Sequence, residues 1–294
     1  MAAQRKDGIV TGSVMAPLPA GRRHFQHGPI DLVLFAEGPA EAVRSAYRRA
    51  WRRFETVLEE LVDELPLLRT PLGDEPPELE GRVARRMLAA CWHYRASYIT
   101  SMAAVAGAVA EEILDVMPAG PVRRAMVNNG GDLAFFLADC ERITLGVADD
   151  PRIPNIAGTI LIASGDPSRG VATSGWGGRS QSLGIADAVT VLARSAAEAD
   201  AAATMIANAV NADHPAVRRA PAWLVKDDSD LGDLLVTVDV GPLPDTVIAE
   251  ALASGEREAG ALMKRGLIDG VVLLLQGRSR VVGAQSRIQS FEPV

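Results

Sequence analysis

The sequence predicts an α/β chain of the α+β kind, with a mixed, largely antiparallel sheet and flanking helices. Three observations predict it. Residues 39–65, PAEAVRSAYRRAWRRFETVLEELVDEL, open on a proline and carry apolar side chains at helical spacing (Val43, Tyr47, Trp51, Phe54, Leu58, Leu61), the pattern of a long amphipathic helix. After Pro118–Pro121, short apolar runs alternate with glycine-rich turns, as in a sheet of short strands. Several links between those runs are too short for the helical crossover that parallel neighbours need, so most pairs must be antiparallel.

Taken in order, residues 1–27 are polar and punctuated by Pro and Gly, and read as a flexible N-terminal segment; residues 28–294 read as a single α/β domain. GPIDLVLFAE at 28–37 is a strand, and the 39–65 helix follows it. TPLGDEPPEL at 70–79 is a Pro-rich break before a second helical region over about 80–117. Within it, SMAAVAGAVAEEILDVM is rich in small side chains that would let another backbone or a ligand come close. The strand candidates are then MVNN, LAFFL, RITLGVA, GTILIAS, GVATSG and ADAVTVLA. Residues 196–210 are helical, and two further strands, LLVTVDV and VVLLLQG, flank a helix at 244–265. No internal repeat is visible.

Composition narrows the function classes. At 294 residues with 48% hydrophobic and 23% charged side chains, the chain can bury a substantial core. Aromatics are only 4%, so few rings are available to stack on a ligand. A formal net charge of −7 argues against nucleic acid or an anionic membrane as partner. Arg22-Arg23, Arg52-Arg53 and Arg85-Arg86 read as solvated faces. Cys91 and Cys140 have no metal or redox spacing. With no signal-peptide core in MAAQRKDGIVTGSV and no apolar run of membrane length, the expected location is cytoplasmic. Whether sheet edges pair into a homodimer stays open.

Three segments could carry chemistry. In Asn128-Asn129-Gly130-Gly131-Asp132, two glycines and a carboxylate run straight into an apolar segment. That is either a tight turn, since Asn-Gly is a strong turn signal, or a place where backbone must approach a ligand. In Ala199–Thr204, Asp200 and Thr204 stand four apart and share one helix face. They either share solvent, or offer two hard oxygens to a Mg²⁺ that keeps part of its water shell beside a phosphate. The segment from Val171 to Ser180 contains Thr173, Ser174, Gly175, Arg179 and Ser180. Arg179 suits bidentate contact with phosphate or carboxylate, and the alternative is a glycine-rich hairpin.

Four elements in order, NNGGD at 128–132, VATSG at 171–175, DAVTVLA at 187–193 and ADAAAT at 199–204, resemble the FAD:protein FMN transferases of the ApbE superfamily. A weaker fifth element, AVAGAVAEE at 104–112, keeps Gly107 and puts Glu111 near the family's acidic position. The resemblance implies the ApbE-like fold and a small-molecule ligand bearing phosphate or carboxylate, FAD or FMN foremost. It implies Mg²⁺ at the pyrophosphate, held by Asp200 and Thr204. It places Gly107, Asn128, Gly130, Gly131, Thr173, Ser174, Gly175, Arg179 and Ser180 at the nucleotide. A carrier, sensor or scaffold without catalysis is the alternative.

The chain departs from the family between its second and third elements. The His-x-Ile-Asp-Pro segment is absent from GWGGRSQSLGIADAVTV, and His24, His27, His93 and His214 lie elsewhere. The family's Lys before Gly107 is replaced by Ala106. The remaining candidates for a proton acceptor are Asp132 and Glu111, and the resemblance alone leaves open whether the chain is an enzyme.

Overall fold

A computed structural model describes residues 12–148, 156–283 and 288–289 of the chain. Its centre is a nine-stranded sheet ordered β1-β2-β3-β4-β5-β8-β9-β12-β13, in which every pairing is antiparallel. The strands are β1 (Val14–Pro17), β2 (Arg23–His27), β3 (Ile30–Glu37), β4 (Arg124–Asn129), β5 (Asp132–Leu137), β6 (Arg142–Ala148), β7 (Ile156–Ala163), β8 (Gly170–Ser174), β9 (Ala188–Ala193), β10 (Val217–Pro221), β11 (Leu235–Val240), β12 (Gly270–Leu275), β13 (Arg278–Gly283) and β14 (Ile288–Gln289). The expected largely antiparallel sheet with flanking helices is what forms.

Residues 14–27 differ from the reading of a flexible segment: they form β1 and β2 and extend the sheet beyond β3. In β2, polar side chains around a single buried apolar one at Phe25 hide the strand from composition, because only one face is buried. Residues 1–11 lie outside the described residues.

The helices are α1 (Ala40–Asp63), α2 (Leu65–Leu68), α3 (Arg82–Trp92), α4 (Val105–Asp115), α5 (Ala196–Ala209), α6 (Ala222–Val225) and α7 (Asp245–Lys264). The helical region expected over 80–117 is broken at 93–104, where Thr100 caps a short 3₁₀ turn by accepting from the Met102 amide. The long helices cover one face of the nine-stranded sheet. In α1 the buried stripe is Ala46, Tyr47, Ala50, Phe54, Val57 and Leu61, the face its periodicity assigns. On the opposite face, a three-stranded sheet of β14, β7 and β6 covers the middle strands. Phe135, Leu137, Ile160 and Ile162 pack between the two sheets. β10 and β11 pair as a separate hairpin, so the LLVTVDV strand stands outside the main sheet.

Helix α5 sits at the centre of the helical layer. Ala197, Ala201, Ala202 and Ala203 on it are all buried, because only small side chains let the backbones of α4 and β8 approach so closely. The Ser195 hydroxyl caps the helix by accepting from the Glu198 amide. In two of the basic pairs read as solvated, one member is not: Arg53 and Arg86 enter an ion-pair network around Glu112, which is fully buried between α1, α3 and α4. Opposite charges on three helices converge there, which no linear reading reveals.

Candidate functional site

The NNGGD stretch is the turn of the β4–β5 hairpin. Asn129 pairs with Asp132, leaving Gly130 (φ +66°) and Gly131 (φ +118°) as a two-residue loop of the kind that demands positive φ. The Asn128 side chain closes the turn by accepting from the Gly131 amide at 3.2 Å. Buried Asn129 donates to the Ala106 carbonyl at 3.1 Å and ties the hairpin to the start of α4. The first residue of β5, Asp132, is thereby held inward, only 8% exposed.

Asp132 faces Asp200 across the site. The Asp132 carboxylate accepts from the Thr173 amide at 3.2 Å, and Thr173 shares a hydroxyl–hydroxyl bond of 2.9 Å with buried Thr190. Asp200 accepts from the Gly107 amide in the first turn of α4 at 2.9 Å. Burial raises the Asp132 carboxyl to about 7, opposed by the Thr173 amide and the Arg179 charge. Burial, then the charge of Asp132, pushes Asp200 well above the ordinary carboxylate range; the Gly107 and Ala106 amides pull it the other way. Two desolvated carboxylates that repel each other call for a cation or a proton between them.

Thr204 lies one turn beyond Asp200 on α5, as its spacing predicts. Among the described residues no group of three His, Cys, Asp or Glu converges. A metal here would be held by the Asp200 carboxylate, the Thr204 hydroxyl and water, a hard-oxygen set that fits Mg²⁺.

The cleft has two lobes that meet at these groups. Ala106, Asp132, Arg179, Ser180, Asp200 and Thr204 line both. The larger lobe, of about 850 Å³, contains the hairpin residues Asn128, Gly130 and Gly131 and the β8 end, Thr173, Ser174 and Gly175. Leu133, Leu145, Val147 and Val171 give it an apolar wall. The smaller lobe, of about 210 Å³, is lined by Tyr98, Thr100, Gln181, Asn208, Ser229 and Asp230. The Arg179 guanidinium lies over Gly130, where any Cβ would collide with it at 1.6 Å. Close approach at this glycine is thus to an arginine of the chain itself.

Two expected site residues lie elsewhere. Glu111 is not in the cleft: it pairs with Arg86 at 2.6 Å and accepts from the Ala197 amide at 3.3 Å. Burial raises its carboxyl, and Arg86 opposes the shift. Gly107 lines neither lobe. A Cβ there would meet the Ala196 carbonyl at 2.2 Å, so its bareness admits the backbone of α5. Residues 107 and 111 are four apart and share a helix face, and that face is turned to the start of α5. The far wall of the smaller lobe carries no sequence signal. KDDSDL at 226–231 reads as a plain polar loop, and only folding brings Asp230 within bonding reach of Thr100.

Gly131 has open space around its Cβ position. Gly131→Ala is therefore expected to cost roughly 1–2 kcal/mol of stability, from positive φ alone, and to leave ligand affinity within about twofold. Paired thermal melts and ligand titrations check this; weakened binding with an unchanged Tm would contradict the turn role.

The sequence profile of the family described as AbpE bacteria matches residues 15–281. A UPF0280 protein of Methanothrix thermoacetophila is 34% identical over 191 residues, 63% of this chain and 76% of the relative. Another, from Methanosarcina acetivorans, is 32% identical over 210 residues, covering 70% and 78%. Among solved structures, an ApbE protein of Thermotoga maritima superposes with a TM-score of 0.43 at 13% identity, covering 93% of this chain and 97% of that one. The apo form of a Pseudomonas stutzeri flavinyl transferase, ApbE, gives 0.42 at 14% identity, covering 92% and 94%.

Proposed function

The chain belongs to the AbpE bacteria family and is ApbE-like, and from that premise we propose that its cleft binds a flavin nucleotide, or a related phosphate-bearing small molecule, together with Mg²⁺. One observation carries the reading: the buried, mutually repelling Asp132 and Asp200, with Thr204 beside them, stand where the two lobes meet. A two-part ligand with a pyrophosphate at its middle would put its negative charge there. Asp200 and Thr204 would hold the metal, leaving Asp132 beside it free to take a proton. Bound Mg²⁺ would supply charge neutralisation at the phosphate oxygens. Arg179, reaching both lobes, is the protein's own cation for a phosphate. The apolar wall of the larger lobe suits a ring system. We also read residues 28–294 as one ApbE-like domain, lengthened by β1 and β2.

The same arrangement supports a transferase or hydrolase step. A hydroxyl, from water or an acceptor side chain, attacks a phosphorus; its proton passes to Asp132, the new P–O bond forms, and the anhydride P–O bond breaks to release AMP. An acid near 7 is matched to that task at neutral pH. A binding protein without turnover is the second reading. It is favoured by the lobes' lining, which among the described residues contains no histidine or cysteine.

Thermal shift with FAD, FMN and ADP, each with and without Mg²⁺, tests the binding. Stabilisation by FAD that requires Mg²⁺ is expected, and no nucleotide-dependent shift under any condition would refute it. Release of AMP from FAD, followed by chromatography, separates the two readings.

A further inference from the structure

The outer face of α1 carries a feature the cleft does not use. Arg44, Arg48 and Arg52 recur every four residues, which stacks three like charges in one row along the helix, an arrangement unfavourable by itself. Arg23 of β2 adds a fourth guanidinium, 5.2 Å from the Tyr47 ring centroid. A single carboxylate serves the row: Glu41 accepts from Arg44 at 2.6 Å and from Arg48 at 3.1 Å. Among the described residues Arg52 has no acidic partner. The inner arginines of the same helix are fully engaged, Arg49 by the carbonyls of Val116 and Met117 and Arg53 by Glu60 and Glu112. The excess of positive charge on the outer face stands out in a chain whose formal net charge is −7.

Beside this row runs a second, apolar one, Val43, Tyr47 and Trp51, one residue ahead at each turn. The two rows and the β1–β2 hairpin enclose a groove of about 640 Å³, within the size range of small-molecule sites. Met15 of β1, 42% exposed, forms part of its opposite wall. The Tyr47 hydroxyl is committed, donating to the Gly21 carbonyl at 2.9 Å and accepting from the Ala36 amide at 3.0 Å, so this buried residue shows the groove only the edge of its ring, 6% exposed. Trp51 is braced edge-on by Phe25, with ring centroids 5.1 Å apart. The floor is preformed.

We propose that this groove is a second ligand site, for a small amphiphile with an aliphatic chain and a carboxylate head. The chain would lie along Val43, Tyr47 and Trp51, about 12 Å of helix at 1.5 Å per residue. The carboxylate would take the place of the missing counter-charge, since guanidinium forks bind carboxylate bidentately. A nucleotide is a poor match, because the lining offers guanidinium donors and little else for a base edge. A bilayer surface is also a poor match, because the feature is concave and the chain as a whole is acidic.

Calorimetric titration of the full chain with sodium decanoate, below its micelle concentration, tests the proposal. Saturable one-site binding is expected, with 1-decanol at least about tenfold weaker. Arg44→Gln and Arg52→Gln, both exposed and free to fold, should each weaken decanoate roughly tenfold, as befits loss of one charge-assisted contact. Arg218→Gln on β10 should bind as the unaltered chain does. Excess FAD and Mg²⁺ should not compete. Equal binding of decanol and decanoate, indifference to both arginine substitutions, or competition by FAD would overturn the site. So would arginine-dependent sedimentation with phosphatidylglycerol vesicles in a chain that ignores decanoate.

Discussion

Asp200→Asn is expected to lower Mg²⁺-dependent ligand affinity by about 100-fold or more, since even indirect partners of a metal typically contribute 10–100-fold. The fold should survive. Asparagine matches the shape of aspartate and can still accept from the Gly107 amide that Asp200 engages at 2.9 Å. The substitution also relieves the repulsion between Asp200 and Asp132, so without Mg²⁺ the variant should melt higher than the parent at pH 8. The pH dependence is a further check. Folding raises Asp132 from 3.8 to about 7, so between those values the folded chain binds a proton the unfolded chain has released. Stability without metal therefore falls as pH rises through that window, and the raised Asp200 carboxyl carries the fall to higher pH. A cation held beside Asp132 repels the same proton, so Mg²⁺ affinity should rise with pH. Unchanged Mg²⁺ dependence in the Asn variant would remove Asp200 from the metal site.

Asp132→Asn is expected to reduce AMP release from FAD by about 10²–10⁴-fold, the usual contribution of a placed general base. The parent rate should climb with pH to a plateau, as the carboxyl loses its proton. The variant should lack that climb. Loss of the rate with the pH profile intact would mean that another group accepts the proton, and an unchanged rate would exclude Asp132 as the base. Covalent transfer of FMN to an acceptor peptide should remain slow even in the parent chain, for want of the His-x-Ile-Asp-Pro segment.

Sequence patterns located much of this site because the informative residues lie in local geometry. The glycine pair demanded a turn, and Asp200 with Thr204 had one helix face at four-residue spacing. Helices α1, α5 and α7 follow their periodicity to within about two residues. What failed was non-local. Glu111 has the right chemistry and a nearly right position, but the face it shares with Gly107 is turned to α5 rather than to the cleft. Strand β2, with one buried apolar residue in five, looks like loop until β3 pairs with it. The smaller lobe depends on segments such as 98–100 and 226–231 meeting across the fold, and neither carries a local signal.

The alanine-lined seating of α5 has a consequence for amide hydrogen exchange. A helix held by backbone contacts on several sides, as at Ala196 against Gly107, has no room for partial opening. Its amides should therefore exchange only through global unfolding, among the slowest in the chain. A ligand acting on Asp200 should slow them only as far as it stabilises the whole fold. The protection it adds locally should appear at the exposed Gly130 and Gly131 turn and around Arg179, where opening is cheap before binding.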